Sequence, residues 1–137
     1  MEALGRLFNI VPTADAVEVS LTGASAVTFV CVGADTYTIQ QAKDAAGTGA
    51  TNLPVIDHYY ANGNVDGAGT WTRTAVSPVG AAVTIALGCA VIHVPVAALD
   101  DGFDYIRCSS TAGGLVTAIV HDLTVQRAPD LLPALGV

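Results

Sequence analysis

Charge is scarce in this chain. Of its 137 residues, 12% are Asp, Glu, Lys or Arg, against roughly a quarter in an ordinary soluble domain. The five cations, Arg6, Lys43, Arg73, Arg107 and Arg127, are scattered along a chain of net charge -7. No basic patch is available to neutralise phosphates, so a nucleic acid partner is not expected. Cysteine is also sparse: Cys31, Cys89 and Cys108 form an odd set with no C-x-x-C spacing. That argues against a zinc ribbon or a fully paired disulfide framework, and all three read as thiols. Long apolar runs are missing as well. The stretch Met1 to Pro12 places Glu2 ahead of a short Leu7 to Val11 cluster, which fits neither a signal peptide nor a membrane span.

What the chain has in quantity is small and apolar residues. Hydrophobic residues make up 52% of it, and Gly, Ala, Ser and Thr recur in nearly every segment. A weakly charged exterior of that kind suits a protein packed among neighbours. The length fits one domain, enough to bury about two-thirds of the surface its unfolded chain exposes.

The dominant hydrophobic period is two, the alternation of a half-buried strand. Val17, Val19 and Leu21 alternate with Glu18, Ser20 and Thr22, and Tyr37 and Ile39 alternate with Thr36, Thr38 and Gln40. Ala26 to Val32 is apolar at nearly every position, which predicts a central strand covered on both faces. Further runs at Val55 to Tyr60, Trp71 to Val76, Val83 to Leu87, Ala90 to Val94 and Phe103 to Cys108 are separated by Asn-Gly, Ser-Pro and Asp-Gly turns. The last run, Leu115 to Gln126, is rich in β-branched residues and belongs inside a sheet. The only helical candidate is one turn at Pro95 to Asp101. The expectation is an all-β, two-sheet β-sandwich of jelly-roll or immunoglobulin-like type with about eight or nine strands. It spans residues 13–127, with arms lacking strand alternation at 1–12 and 128–137.

No constellation in the sequence points to chemistry. Asn62-Gly63-Asn64-Val65-Asp66-Gly67 begins like a calcium loop, but Arg73 stands where the closing Glu belongs, so the stretch reads as a polar turn. His58, His93 and His121 lack the close spacing of metal ligands. His93 and His121 fall in phase with Val91, Ile119 and Leu123, which predicts hydrogen-bonded rings packed beside the core. Asp57 and His58, being adjacent on a strand, are expected on opposite faces. Asp100, Asp101 and Asp104 read as solvated turn residues rather than paired catalytic acids. Nucleophile-elbow, P-loop and dinucleotide motifs are missing. No catalytic residue, metal ligand or cofactor is assigned, and the chain is not expected to be an enzyme. Trp71, Tyr59 and Tyr60 are candidates for a sugar-stacking platform or for core packing.

The two ends are the most informative feature. Leu4, Leu7, Phe8, Ile10 and Val11 at one end, and Leu131, Leu132 and Leu135 with Val137 at the other, are too apolar for solvated tails. They either cap their own sandwich or lie on a neighbouring subunit. These residues are the candidate assembly interface.

Three stretches carry a resemblance: Tyr37-Thr38-Ile39-Gln40-Gln41-Ala42-Lys43-Asp44 followed by Ala46-Gly47-Thr48-Gly49-Ala50, then Trp71-Thr72, then Gly102-Phe103-Asp104-Tyr105-Ile106-Arg107. With them the chain, from about Leu4 to Val125, resembles small structural proteins of tailed-bacteriophage virions, in particular head decoration (cement) proteins. The resemblance implies a β-rich protein, often a trimer, made in the host cytoplasm. It would bind the outside of a lattice of major capsid protein and stabilise the shell. Three other readings compete: a carbohydrate- or host-surface-binding module of a head fibre or spike, a connector or tail component, and an enzyme on a jelly-roll scaffold.

Overall fold

The computed structural model describes residues 8–13, 16–66 and 68–124. Its eleven strands are β1 (Phe8–Thr13), β2 (Val19–Ser20), β3 (Ala24–Val32), β4 (Asp35–Ala42), β5 (Thr51–Asn52), β6 (Ile56–Asn62), β7 (Thr72–Gly80), β8 (Ala82–Ile85), β9 (Cys89–Pro95), β10 (Tyr105–Ser110) and β11 (Leu115–Leu123). The helical turn expected after Pro95 is a single 3-10 turn, Val96–Ala98. Two antiparallel sheets result. One has six strands in the order β1-β11-β3-β9-β6-β7. The other is ordered β2-β10-β4-β5, with β8 on the same strand β4.

Four antiparallel pairings are nested in sequence: β1 with β11, β2 with β10, β3 with β9 and β4 with β8. A long hairpin folded over on itself gives this pattern, with β1-β11-β3-β9 in one sheet and β2-β10-β4-β8 in the other. The nesting is that of the eight-stranded jelly roll and decides between the two sandwich types that the sequence left open. β5, β6 and β7 are an insertion at the hairpin tip, and β6 and β7 widen the six-stranded sheet.

The core lies between the sheets. β3 contributes Val27, Phe29 and Cys31, β9 contributes Ala90, Ile92 and Val94, and β11 contributes Val116, Ala118 and Val120. Facing them are Tyr37 and Ile39 of β4, Ile106 and Cys108 of β10, and Val83 and Ile85 of β8. These alternate residues are buried because the pleat sends every second side chain inward.

One end of the sandwich is fixed by polar contacts. Oδ1 of Asp35 accepts hydrogen bonds from the Thr111 hydroxyl (2.6 Å) and the backbone N–H groups of Thr36, Thr111 and Ala112; Oδ2 accepts from Ala112 and Gly114. Led by the Thr111 hydroxyl, these donors hold the Asp35 carboxyl well below the usual carboxylate range, against the opposing pull of burial. Beside it the fully buried Tyr37 donates its O–H to the Gly33 carbonyl at 2.7 Å, and burial raises this phenol to about 12. Gly114 packs so closely on Tyr37 that an added Cβ would overlap its hydroxyl.

The structure corrects the expected N-terminal boundary. Phe8 to Pro12 lie not in an arm but in β1, which pairs with β11 from Phe8 opposite His121 to Thr13 opposite Val116. The alternation was obscured because its inward residues include Asn9 and Thr13; the Thr13 hydroxyl donates to the Val116 carbonyl at 2.9 Å. Leu4, Leu7, Leu131, Leu132 and Leu135 lie outside the described residues. The edges of both sheets are blunt. Each edge strand of the six-stranded sheet carries a proline, Pro12 in β1 and Pro78 in β7, while β2, β5 and β8 at the edges of the other are two to four residues long.

Asp35→Asn places an amide N–H2 among donors, so the variant is expected to be less stable than the parent at neutral pH. A carboxyl lowered by folding stabilises the native state above its unfolded pKa of about 4, and that contribution is lost as pH falls through the folded value. Thermal melts from pH 7 downward should show the gap between variant and parent narrowing below about pH 4. A gap unchanged down to pH 3 would assign the loss to something other than the charge.

Candidate interaction face

The outward residues of the six-stranded sheet follow from its register. Opposed residues of antiparallel strands point to the same side, so one row runs Ile10, Ile119, Thr28, His93 and the next Pro12, Thr117, Val30, Val91, Tyr60, Arg73. Phe8, His121, Ala26 and Pro95 form a third row, and Leu115, Val32, Cys89 and Asn62 a fourth. Across β1, β11, β3, β9 and β6, none of these outward positions is Asp, Glu, Lys or Arg. The charges at the margin of this face are Arg73 of β7 and the exposed acids Asp57 and Asp122, which hold His58 at 2.7 Å and His121 at 2.9 Å. Leu115 is 65% exposed, Trp71, which immediately precedes β7, 44% and Tyr60 43%.

The opposite face of the molecule is polar. The outward residues of β4, β8, β10 and β5 include Thr36, Thr38, Gln40, Thr84, Ser109 and Asn52. Thr36 and Thr84 share a hydroxyl hydrogen bond at 2.8 Å. Arg107 donates through Nε to Gln40 Oε1 and through Nη1 to Glu18 Oε1, at 2.8 and 2.7 Å. Water can solvate such a surface as it stands, whereas the other face has little to offer it.

The asymmetry sharpens one expectation. The apolar run Ala26 to Val32 predicts a central strand covered on both sides, and β3 is central, between β11 and β9. Its inner residues Val27, Phe29 and Cys31 are fully buried, but Val30 and Val32 on the outer side are only half-buried. The same holds for β11, where Ile119 is half-buried and Leu115 exposed while Val116, Ala118 and Val120 are buried. Among the described residues the stretch after β6 covers one end of the outer side, where Asn62 and Cys89 are buried, while Val30, Val32 and Ile119 stay half-buried and Leu115 exposed. Five strands spaced about 4.8 Å apart, each about seven residues of ~3.3 Å, make this side roughly 500 Å² in projection.

Both chain ends leave beside this face. Phe8 opens β1 opposite His121, near the end of β11, so the segments before Phe8 and after Thr124 start from one corner of the sheet. The residues assigned to assembly from the sequence divide here. Phe8 and Ile10 point outward onto the face; Val11 points inward and packs against the core.

His93 and His121 lie on this outer side, not beside the core as the sequence predicts, and His58 lies on the same side. Thr28 Oγ1 is 2.9 Å from His121 Nε2 and 3.4 Å from His93 Nδ1, and the two rings are 5.4 Å apart. Their phase with Val91 and Ile119 was legible, but which side those residues take was not. His58 is separate and holds Asp57 at 2.7 Å from its Nδ1 to Oδ1. Adjacent strand residues normally point apart; a bulge between Ile56 and His58 breaks the alternation and lets them meet. The His58 hydrogen bond lowers the Asp57 pKa. Among the described residues, no group of three or more His, Cys, Asp or Glu is placed to hold a metal.

The remaining candidates act structurally. Asn62 Oδ1 accepts from the Asn64 N–H, and its amide donates to the Gly69 carbonyl, so the calcium-like stretch spends this side chain on its own backbone. Gln41 pins Asp100, donating to Oδ2 at 2.7 Å and accepting from its N–H at 2.9 Å, while Asp101 and Asp104 are exposed. Tyr59 packs on the core whereas Tyr60 points outward, so the three aromatics do not form one platform.

No protein-family model matches the chain, and no curated protein matches it. Among solved structures it is similar to the SPBc2 prophage-derived protein YomS, with 11% identity and a TM-score of 0.43 over 87% of this chain and 98% of that one. A likeness of that size carries no statement about function.

Thr28→Val keeps the branched shape and removes the hydroxyl shared by the two imidazoles. It is expected to leave the fold intact and cost about 1 kcal/mol, read from urea denaturation. A loss several times larger would mean that the His93–Thr28–His121 group supports the sheet itself.

Proposed function

We propose that this chain is a structural protein of a bacteriophage virion that binds the outside of the assembled capsid and stabilises it, as decoration or cement proteins do. The observation that carries the reading is the outer side of the six-stranded sheet, where β3 places Val30 and Val32 and β11 places Leu115 and Ile119, none of them fully buried among the described residues. The partner on the uncovered side is the lattice of major capsid protein. The middle of the face, around Ile119, Thr28 and Val30, carries no charged residue and can be dehydrated without stranding an ion, which is the main obstacle to burying a protein surface. Asp57, Asp122 and Arg73 stand at its margin. The apolar residues Leu4, Leu7, Leu131, Leu132 and Leu135 of the two terminal segments would add contact area toward the ~800 Å² per partner of a stable interface. The sequence resemblance to decoration proteins and the jelly roll, a fold used by capsid and lectin domains, agree with this reading.

The action needs no reactive group. A protein that binds the assembled lattice and not its dissociated subunits shifts the equilibrium toward the shell by mass action. A trimer would add avidity, since three linked contacts dissociate together.

A second reading draws on the exposure of Trp71 and Tyr60 at the margin of the same side. Flat rings beside polar groups suit sugar faces, as in a host-surface-binding module.

Co-sedimentation with shells assembled from a candidate major capsid protein, paired with light scattering, tests the proposal. Ile119→Lys puts a charge in the middle of the face, and Thr38→Lys puts one on the polar side as a control. Both variants should stay folded. Ile119→Lys is expected to bind shells at least about tenfold more weakly, and Thr38→Lys to bind like the parent. If Ile119→Lys instead lowers the mass in solution, the face joins copies of the chain. A parent protein that ignores shells but is retained on a glycan array would replace the decoration reading with the second one.

A further inference from the structure

Cys31 of β3 and Cys108 of β10 stand on opposite sheets with their side chains turned into the core. Their sulfurs are 4.0 Å apart, and the two residues are 0% and 1% exposed. Both are thiols in this structure. The third, Cys89, points to the other side of the six-stranded sheet, where its Sγ lies 3.3 Å from the Asn64 carbonyl. The sheet itself therefore separates Cys89 from the other two.

We propose that Cys31 and Cys108 are a built-in cross-linking site that closes to an inter-sheet disulfide under oxidising conditions. Three cysteines allow three pairings, and the fold selects one. A disulfide needs its sulfurs at about 2.05 Å, so closing the bond must bring the two sulfurs about 2 Å nearer than the existing contact. The bond would tie together residues 77 positions apart and join the centre of one sheet to the centre of the other.

The reaction balances with a small-molecule disulfide such as oxidised glutathione as the co-reactant. One protein thiolate attacks it, forms a mixed disulfide and expels one thiolate. The second protein thiolate then attacks the mixed disulfide, forms the Cys31–Cys108 bond and expels the other. The protein loses two electrons and two protons, and the small disulfide is reduced to two thiols. Because both sulfurs are buried, exchange runs during folding or transient opening and is slow in the closed native state. A chain folded in a reducing compartment would keep both thiols and acquire the bond only after reaching an oxidising one.

The test is refolding of the full chain from urea in an oxidised glutathione buffer and, in parallel, in a reductant, followed by intact mass, non-reducing peptide mapping and thermal melts. The parent and Cys89→Ala should both lose the mass of two hydrogens, yield one linked peptide pair containing Cys31 and Cys108, and melt on the order of 10 °C above the reduced form. Cys31→Ala should form no internal bond. Linkage through Cys89, or a folded parent with its thiols intact after oxidative refolding, would overturn the proposal. A linked form that melts below the reduced one would overturn it equally, because the bond would then not fit the native core.

Discussion

A single carboxylate sets the geometry of one whole end of this jelly roll. Asp35 begins β4, yet most of its partners belong to the turn between β10 and β11. The links from β3 to β4 and from β10 to β11 cross between the sheets at this same end, so fixing one turn on the other fixes how the sheets face. Backbone N–H groups in a tight turn have no strand partner and need an acceptor if they are shielded from water. Asp35 supplies it, and Tyr37 fills the space behind it with Gly114 against its ring. Gly88 completes the arrangement: it is at φ +78°, accepts from the Gly33 N–H, and sits where a Cβ would overlap the Asn62 carbonyl.

Much of this was legible in the sequence, because burial on one side of a strand leaves a period of two. The alternations around Val19 and Tyr37 marked β2 and β4, and the continuous run Ala26 to Val32 marked a central strand. What escaped is what a linear pattern does not carry. β1 was hidden by inward Asn9 and Thr13, since polar residues satisfied by the neighbouring strand break the signature without breaking the strand. The two-residue strand β5 is set by its partner β4 rather than by its own composition. Strand order, and with it the choice of jelly roll, depends on pairings far apart in the chain. The outer location of His93 and His121 needed the register: phase says which residues share a side, not which side is the core. Asp35 had no local signature, because all its donors but the neighbouring Thr36 N–H lie 76 to 79 positions away.

The candidate face was legible in a different sense. The run Ala26 to Val32 was read as a strand covered on both faces; β3 is central, but among the described residues only its inner side is fully buried, and Val30 and Val32 on the outer side are half-buried. The polar side offers the contrast within the same molecule: its hydroxyls and amides are spent on one another, and Arg107 is held by Glu18 and Gln40.

The blunted edges have a consequence of their own. Open rims of unpaired backbone are the route by which β-rich chains template one another into fibrils. Here the wide sheet has a proline in each rim strand and the narrow sheet has rims only two to four residues long. Growth by adding strands is discouraged in the plane of either sheet, while contact perpendicular to the wide sheet stays open. Molecules crowded at high local density are thereby kept from pairing edge to edge.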